Sequence, residues 1–270
     1  MTAVEGPDVG LAAMRLALGP STLVTVTSDH LLIRTPSRPD YWDGNAIQLL
    51  AQPVDVRPWT ARFRATVGAL PGIERLRLLW PADGLDGPAP AGVAEEDLAL
   101  EPLRLMRLDD LADIEAVAIE IVEAHSDKDW HAAAVLLRHD LTEVPHEFWD
   151  WQTTEIRAVC ERGHGTTWIA RRHGIPVGRV TLLHDQLGLG ALDAVGTHPV
   201  YRRAGVATTL VHHAIRAHLD ARPADRVVLL TEPYSDGERL YRRLGFEAVG
   251  AVIQADRRLT IPSAQPTGLS

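Results

Sequence analysis

Arg202, Gly205 and Ala207 are spaced in a way that suits a phosphate-binding loop. Apolar residues recur at helical spacing after Gly205, so we expect a helix to begin there. The first turn of a helix presents unpaired N–H groups at the positive end of its dipole, and Arg202 and Arg203 add guanidinium charge beside them. Gly205 and Ala207 are small enough to let backbone amides approach a pyrophosphate. This stretch therefore predicts a site for phosphate groups.

The pattern Arg202-x-x-Gly205-x-Ala207 resembles the acetyl-CoA loop of the GCN5-related N-acetyltransferase (GNAT) family. The residues just before it, Thr197-His198-Pro199-x-Tyr201, are also similar to that family. A second family motif, a tyrosine followed four residues later by Gly-Phe, is matched by Tyr241 and Gly245-Phe246. Alone, the first motif could be a basic, solvated helix start. Two motifs in this order argue against a chance match, and the resemblance extends over about residues 100–255.

The resemblance implies that acetyl-CoA is the cosubstrate, and nothing in the sequence requires a metal. In the family, a backbone N–H at the position of Thr197 polarises the thioester carbonyl, and a tyrosine at the position of Tyr241 donates a proton to the coenzyme A thiolate. The family often has an asparagine seven residues before this tyrosine, where Tyr234 and then Ser235 stand here, so Ser235 or backbone groups would replace it. The predicted coenzyme-binding residues are Thr197, Arg202, Arg203, Ala204, Gly205, Val206, Ala207 and Ser235.

Asp193 is the candidate general base for the acceptor amine. It lies in a stretch that we interpret as a buried strand, whose alternation puts Asp193, Val195 and Thr197 on one face. The carboxylate would then project toward the acetyl group and take the amine proton through water. Two other interpretations stay open, a surface carboxylate and a salt-bridge partner of a nearby arginine. Tyr241 and Asp193 are thus the predicted catalytic residues, with core packing as the alternative for Tyr241.

A run of acidic residues and histidines suggests a metal site at first sight. Its members are Glu123, His125, Asp127, Asp129, His131, His139, Asp140, Glu143 and His146. The spacing lacks a compact pairing of ligands such as His-x-x-x-His, so we interpret the run as a solvated polar helix and loop. In the resembled family this region lines the acceptor pocket. Glu123, His125 and Asp129, with Glu232 at the end of a later strand, are therefore candidate substrate residues.

The composition limits the classes of partner. A formal net charge of −9 argues against nucleic acid or an anionic membrane and favours a cationic acceptor, such as an amine of a small molecule or peptide. The single cysteine, Cys160, excludes an internal disulfide and a cysteine-based metal site. No stretch approaches the roughly 20 apolar residues of a membrane helix, and no signal segment is visible. We expect a cytoplasmic protein, and a homo-oligomer is compatible with the sequence.

The helices and strands that must position these residues indicate two domains. We assign residues 1–90 to a small α/β domain that looks like a reduced, degenerate copy of the acetyltransferase fold, and residues 95–262 to the acetyltransferase domain itself. Glycine and proline residues between 83 and 94 mark a linker. In the first domain we expect helices near 9–18 and 54–67 and strands near 23–27, 31–35, 45–50 and 75–80.

The second domain has the predicted order β-α-α-β-β-β-α-β-α-β-β. Its first helix would carry apolar residues from Leu111 to Ile121, and two closing strands would cover 248–253 and 257–261. We expect a mixed α/β fold with a mostly antiparallel sheet flanked by helices, because a doubly wound nucleotide fold would alternate strand and helix throughout.

These observations predict an acetyl-CoA-dependent N-acetyltransferase. A thioester and an amine held in one ternary complex can react directly, without a protein nucleophile. The alternative is a non-catalytic acyl-CoA-binding sensor or partner-binding module that keeps the phosphate loop but lacks turnover. A dinucleotide-binding oxidoreductase is disfavoured, because Gly188-x-Gly190 is followed neither by a third glycine nor by a helix start.

Overall fold

The chain forms two compact units in the computed structural model, which describes residues 8–138 and 145–259. The larger unit consists of the described residues of Met1–Ser21 together with Pro81–Gly87 and Pro102–Val252. The smaller unit consists of Thr22–Trp80, Pro88–Glu101 and the described residues from Ile253 onward. Each unit has its own apolar core.

Helices and strands alternate irregularly along the described chain. The helices are α1 (Val9–Leu16), α2 (Arg57–Ala65), α3 (Asp127–Arg138), α4 (His146–Glu161), α5 (Val206–Ala221) and α6 (Asp236–Arg243). The strands are β1 (Leu23–Val26), β2 (His30–Arg34), β3 (Ala46–Leu49), β4 (Arg75–Ala82), β5 (Ala99–Leu108), β6 (Glu120–Glu123), β7 (Gly165–Arg172), β8 (Ile175–His184), β9 (Leu189–Thr197), β10 (Arg226–Thr231) and β11 (Phe246–Arg258).

The sheet of the larger unit has the strand order β11-β5-β10-β9-β8-β7-β6. β9 and β10 are parallel, whereas β10–β5, β9–β8, β8–β7 and β7–β6 are antiparallel pairs. Trp168 and Ala170 of β7 pack into one core with α5, and Ile169 between them packs into another with α3 and α4. Because successive strand residues point to opposite faces, helices cover both faces of this sheet. The predicted mixed, mostly antiparallel sheet flanked by helices is confirmed.

The sheet of the smaller unit has the order β1-β2-β3-β4, followed by the second half of β11. β1–β2 and β2–β3 are antiparallel, whereas β3 and β4 are parallel with α2 between them in the chain. Phe63 of α2 is fully buried in a core with Ile47 and Leu78. The same order of elements occurs in β7-β8-β9-α5-β10, so the smaller unit repeats the central part of the larger one.

The helix predicted from Leu111 to Ile121 is absent. The segment from 109 to 119 is irregular and leads into β6, which pairs with β7. Its backbone is hydrogen-bonded elsewhere, because Ala112 N–H donates to the Leu244 carbonyl and Val117 N–H donates to the Thr209 hydroxyl. Several of its apolar residues are β-branched, which lowers helix propensity, and they pack onto the core around α5 without forming a helix.

The predicted domain boundaries at residues 90 and 95 stay a prediction. Each of the two compact units is built from separate stretches of chain, so the units cannot be compared directly with two consecutive domains. α1 belongs to the larger unit, whereas residues 88–94 of the expected linker belong to the smaller one. The two predicted closing strands form the single strand β11, in which the intervening Ala255 and Asp256 are buried. Residues 260–262 of the expected second domain lie outside the described part.

Candidate active site

A gap opens in the sheet where β9 separates from β10. Their parallel pairing begins with Leu189 opposite Arg226 and ends with Leu192 opposite Leu229. Beyond that point β9 continues to Thr197 in pairing with β8, while β10 continues in pairing with β5. The backbone of β9 after Leu192 therefore borders an opening between two parallel strands.

A β-bulge lies at the start of this gap. The register between β8 and β9 shifts between Arg179 and Thr181, and Ala194 has a φ of 49°. Leu192 and Val195 consequently contact the same core although they are three positions apart. The predicted sharing of one face by Asp193 and Val195 does not hold, because the bulge interrupts the alternation between them.

The loop after β9 leads directly into α5. His198 accepts a hydrogen bond from the Val200 N–H at 3.3 Å, and a short 3₁₀ turn covers Pro199–Tyr201. The Arg202 Nε donates to the Thr197 carbonyl at 3.1 Å, which ties the loop to the end of β9. α5 then begins at Val206, and its first N–H groups have no acceptor within the helix. The loop thus presents backbone donors and arginine side chains together, as the sequence predicts.

Gly205 is required by the backbone and by packing. It caps α5 with a φ of 77°, a conformation that favours glycine. A Cβ atom at this position would lie 2.7 Å from Cγ1 of Val117, in the segment that replaces the expected helix. The small size of residue 205 is therefore needed even before a ligand is considered.

A cleft of about 1140 Å³ lies beside the gap, between the loop and α6. Of the eight predicted coenzyme-binding residues, Ala204 and Ser235 do not line it. The lining residues are Val195, Gly196, Thr197, Tyr201, Arg202, Arg203, Gly205, Val206, Ala207, Thr208, Glu232, Asp236, Gly237, Arg239, Leu240, Tyr241, Arg242 and Arg243. The structure thus brings most of the phosphate loop, Glu232 and Tyr241 to one opening.

Three arginines of α6 were missed as site residues. Arg239, Arg242 and Arg243 line the cleft opposite the loop. They stand at positions i, i+3 and i+4, and residues with this spacing lie close together on a helix surface. The spacing is visible in the sequence. Asp236 at the start of α6 is bound by Arg203 at 2.7 Å and by Arg239, and its hydrogen bond to Arg239 and the charge of Arg203 lower its pKa. The cleft walls are therefore rich in positive charge.

Tyr241 projects from α6 into the wall of the cleft and is 9% exposed. Its ring packs edge-to-face against Phe246, with the centroids 5.9 Å apart. Burial raises the pKa of the Tyr241 phenol far above its ordinary value, and the negative charge of Asp193 raises it further. The phenol is therefore protonated at neutral pH, and Asp193 is close enough to act on it electrostatically.

Ser235 serves as the N-cap of α6. Its hydroxyl accepts a hydrogen bond from the Glu238 N–H at 3.1 Å and donates one to the Glu232 carbonyl at 2.7 Å. These bonds stabilise the start of the helix. The hydroxyl expected to replace the family asparagine is thus engaged by its own backbone.

The three substrate candidates before and within α3 are not brought to the cleft. Glu123 ends β6, the edge strand, which β7 and β8 separate from β9. His125 contacts Glu123 at 3.4 Å, and both side chains are largely exposed. Asp129 accepts a hydrogen bond from the Ser126 hydroxyl and binds Arg171 at 2.5 Å, and these contacts lower its pKa to about 2. The Asp129 carboxylate caps the start of α3.

The metal interpretation concerns residues that the structure describes only in part. His139, Asp140 and Glu143 of the polar run lie outside the described residues. Within residues 8–138 and 145–259, no three potential ligands come together in a way that could hold an ion. In the same ranges, no helix is both long and apolar enough to cross a membrane.

Solved structures share this fold over nearly the whole chain. A functionally unknown conserved protein from Staphylococcus epidermidis has a TM-score of 0.64 at 14% identity, over 87% of this chain and 92% of its own. A GCN5-related N-acetyltransferase from Kribbella flavida has a TM-score of 0.62 at 19% identity, over 92% and 95%. A tandem GNAT protein from the clavulanic acid biosynthesis pathway has a TM-score of 0.58 at 13% identity, over 93% and 87%. At these identities the likeness shows the fold, a two-domain arrangement of GNAT type.

The family assignment rests on the sequence of the larger unit. No curated protein matches this chain. The sequence model of the Acetyltransferase (GNAT) family matches residues 130–246, which include the phosphate loop, Tyr241 and most of the sheet around the gap. Residues 130–246 therefore match the GNAT family, which uses acetyl-CoA.

Proposed function

We propose that this chain transfers an acetyl group from acetyl-CoA directly to an amine of a small molecule or peptide. One observation carries the proposal: the phosphate loop and the protonated phenol of Tyr241 line the same cleft, beside the gap between β9 and β10. An anion-binding end and a proton donor in one opening suit a ligand with phosphates at one end and a leaving thiol at the other.

The cleft has the size and charge that acetyl-CoA requires. Its volume of about 1140 Å³ is slightly larger than the roughly 300–1,000 Å³ of ordinary small-molecule sites. Arg202, Arg203 and the first turn of α5 offer charge and N–H donors to a pyrophosphate, and Arg243 adds charge from the opposite wall. The exposed β9 backbone after Leu192 offers hydrogen bonds to an extended amide-containing arm.

The residues around the gap fit direct acyl transfer. Bound acetyl-CoA supplies an activated thioester; the amine nitrogen forms a bond to its carbonyl carbon as the carbon–sulfur bond breaks. A backbone N–H near Thr197 stabilises the negative charge that develops on the carbonyl oxygen. Asp193 receives the proton that leaves the nitrogen, through water, and Tyr241 gives its phenolic proton to the sulfur. Exchange with solvent then restores both side chains.

Binding and transfer can be tested separately. Acetyl-CoA and CoA should raise the melting temperature of the protein, whereas NAD should not, because a ligand stabilises the state that binds it. Arg202→Ala should weaken acetyl-CoA binding by about 1–3 kcal/mol in calorimetry, since it removes charge-assisted phosphate contacts. Equal stabilisation by NAD, or none by CoA, would contradict the proposed coenzyme.

Transfer is tested by thiol release from acetyl-CoA with a panel of small amines and amine-bearing peptides. Release that depends on one class of amine supports the transferase and identifies its acceptor. Tight binding of acetyl-CoA without release on any amine would favour the non-catalytic acyl-CoA sensor.

A further inference from the structure

Arg179 is a charged residue in the interior of the larger unit. It lies on β8 opposite Gly196 of β9, at the bulge where the cleft begins, and is 1% exposed. Its Nη1 donates to the Ala133 carbonyl at 3.1 Å and its Nη2 donates to the Thr181 hydroxyl at 3.2 Å. Its buried Nε has no hydrogen-bond partner among the residues that the structure describes.

Packing alone gives no reason for a guanidinium at this position. A buried charge loses its hydration, and an apolar side chain of similar volume avoids that penalty. The two hydrogen bonds that Arg179 makes are to neutral oxygens, which only partly replace water. A nearby anion is therefore needed to explain why the positive charge is tolerated.

Asp193 is that anion. Arg179 and Thr181 are two positions apart on β8, so their side chains lie on the same face of the sheet. Asp193 is the residue of β9 directly opposite Thr181. The guanidinium that reaches the Thr181 hydroxyl therefore lies beside the Asp193 side chain. Burial lowers the pKa of Arg179 to about 10, and the charge of Asp193 opposes that shift.

We propose that Arg179 is a positioning residue that holds the Asp193 carboxylate as an anion, in one orientation, at the point where β9 separates from β10. This inference rests on the proposed function and extends it to a residue that touches neither substrate. It also joins two interpretations of Asp193 that the sequence left open, because one carboxylate serves both as the partner of an arginine and as the base.

Asp193 acts electrostatically on Arg179 from β8, on the Cys160 thiol from α4 and on the Tyr241 phenol from α6. Burial raises the pKa of Cys160 to about 11, and that of Tyr241 is raised as well, so both are neutral at pH 7 and Arg179 is the cation. A cation beside a carboxylate favours the ionised form, which is the form that can receive the amine proton.

The experiment compares the pH dependence of kcat/KM for the wild type, Arg179→Met and Arg179→Lys, using the acceptor found by thiol release. In Arg179→Met the acidic limb should move up by roughly 1–3 pH units, because the cation that favours the ionised carboxylate is gone. At pH 7 kcat should fall on the order of 10²-fold, while KM for acetyl-CoA stays within about twofold. Arg179→Lys keeps the charge and should return the limb toward the wild-type position.

Two further variants keep the test decisive. Arg179→Gln retains hydrogen-bond donors for Ala133 and Thr181 without the charge, so it replaces Arg179→Met if that variant fails to fold. Arg171→Met is the matched control, because Arg171 on the neighbouring strand pairs with Asp129 away from the cleft, and its acidic limb should not move. An unshifted limb in active Arg179→Met or Arg179→Gln would overturn this inference alone. A wild type that binds acetyl-CoA but acetylates no amine would overturn the proposed function and this inference with it.

Discussion

Tyr241 combines two environments that a general acid needs. The ring is held by Phe246 and by the surrounding core, so that the phenol has one position in the cleft wall. Burial and the charge of Asp193 raise its pKa, so the proton remains on the oxygen through the ordinary working range of pH. The phenol therefore carries its proton when the reaction begins, which is the protonation state that a general acid requires.

Tyr241→Phe should separate binding from chemistry. The variant keeps the ring and its packing but removes the proton donor, so acetyl-CoA affinity should change little while kcat falls on the order of 10²-fold. Calorimetry and steady-state thiol release on the same preparation make the comparison. Tyr201→Phe is a suitable control, because Tyr201 lines the cleft but packs against His198 beside the phosphate loop. Full activity in Tyr241→Phe would remove the general-acid role.

A short motif was enough to identify the phosphate loop and Tyr241, most of which line one cleft, whereas their roles stay predictions. The phosphate loop lies directly between β9 and α5, and Tyr241 lies within α6, so local spacing was sufficient to group the residues of each motif. Arg179 was visible as a charged residue between apolar neighbours in β8, but its role depends on pairing with β9, which no local pattern reveals. Glu123, His125 and Asp129 were grouped by closeness in sequence, and sheet order places them at the edge, away from the cleft.

At the level of elements, the start of α5 depends on the segment that crosses it. Val117 N–H donates to the Thr209 hydroxyl in the first turns of the helix, at 3.0 Å. The Val117 side chain occupies the space where a side chain at residue 205 would stand. The phosphate loop is therefore shaped from outside by the irregular segment 109–119 as well as by its own sequence.

Gly205→Ala should destabilise the larger unit by about 2 kcal/mol, because it forces a positive φ on alanine and a contact with Val117. Unfolding in urea measures the loss. In the double variant Gly205→Ala/Val117→Ala the contact is relieved while the backbone strain remains. The double variant should therefore lose about 1 kcal/mol less free energy of unfolding than the sum of the two single variants. Strict additivity would mean that Val117 moves aside without cost. Ala204→Gly is the control, since Ala204 lies in the same loop but outside the cleft lining.

Elements whose apolar pattern matched their packing were predicted correctly, and the exceptions have physical reasons. The Leu111 to Ile121 stretch has helical spacing, yet its backbone donors find partners in α5 and at the end of α6. The sequence predicted two strands, 248–253 and 257–261, where the structure has the single strand β11. In the structure Asp256 is buried and pairs with Arg77 at 2.8 Å, a contact of residues far apart in sequence.

On the scale of the whole molecule, one pattern of elements occurs twice. Two antiparallel strand pairs, a helix and a parallel strand make up β1-β2-β3-α2-β4 and again β7-β8-β9-α5-β10. The two copies share no motif that the sequence reveals, because strand pairing and burial can be satisfied by many apolar sequences. Only the second copy has a glycine immediately before its helix.

The loop of the first copy is already closed by the chain itself. The Val56 N–H donates to the Ala91 carbonyl at 2.9 Å, and the Ala91 N–H donates to the Val54 carbonyl at 3.0 Å. The Arg57 N–H is bound by the Asp55 carboxylate at 2.9 Å, and Pro58 has no N–H to offer. The backbone donors that we propose to bind phosphate at the start of α5 thus have counterparts at the start of α2 that are hydrogen-bonded or missing, and Asp55 adds a negative charge there.

The chain contains two copies of the strand–helix–strand pattern, and we propose that the copy around α5 binds the coenzyme. We therefore expect each chain to bind one molecule of acetyl-CoA. Titration calorimetry with the full-length protein should give one site per chain, because the α2 loop lacks both free amides and a cleft-lining arginine pair. Arg202→Ala should weaken acetyl-CoA binding at that single site, and its titration should show no second site of higher affinity. Asp55→Ala removes the negative charge from the α2 loop but leaves its bonds to Ala91, so it should not create a second site. Two sites in the wild type, or one that persists unchanged in Arg202→Ala, would show that the smaller unit binds the coenzyme after all.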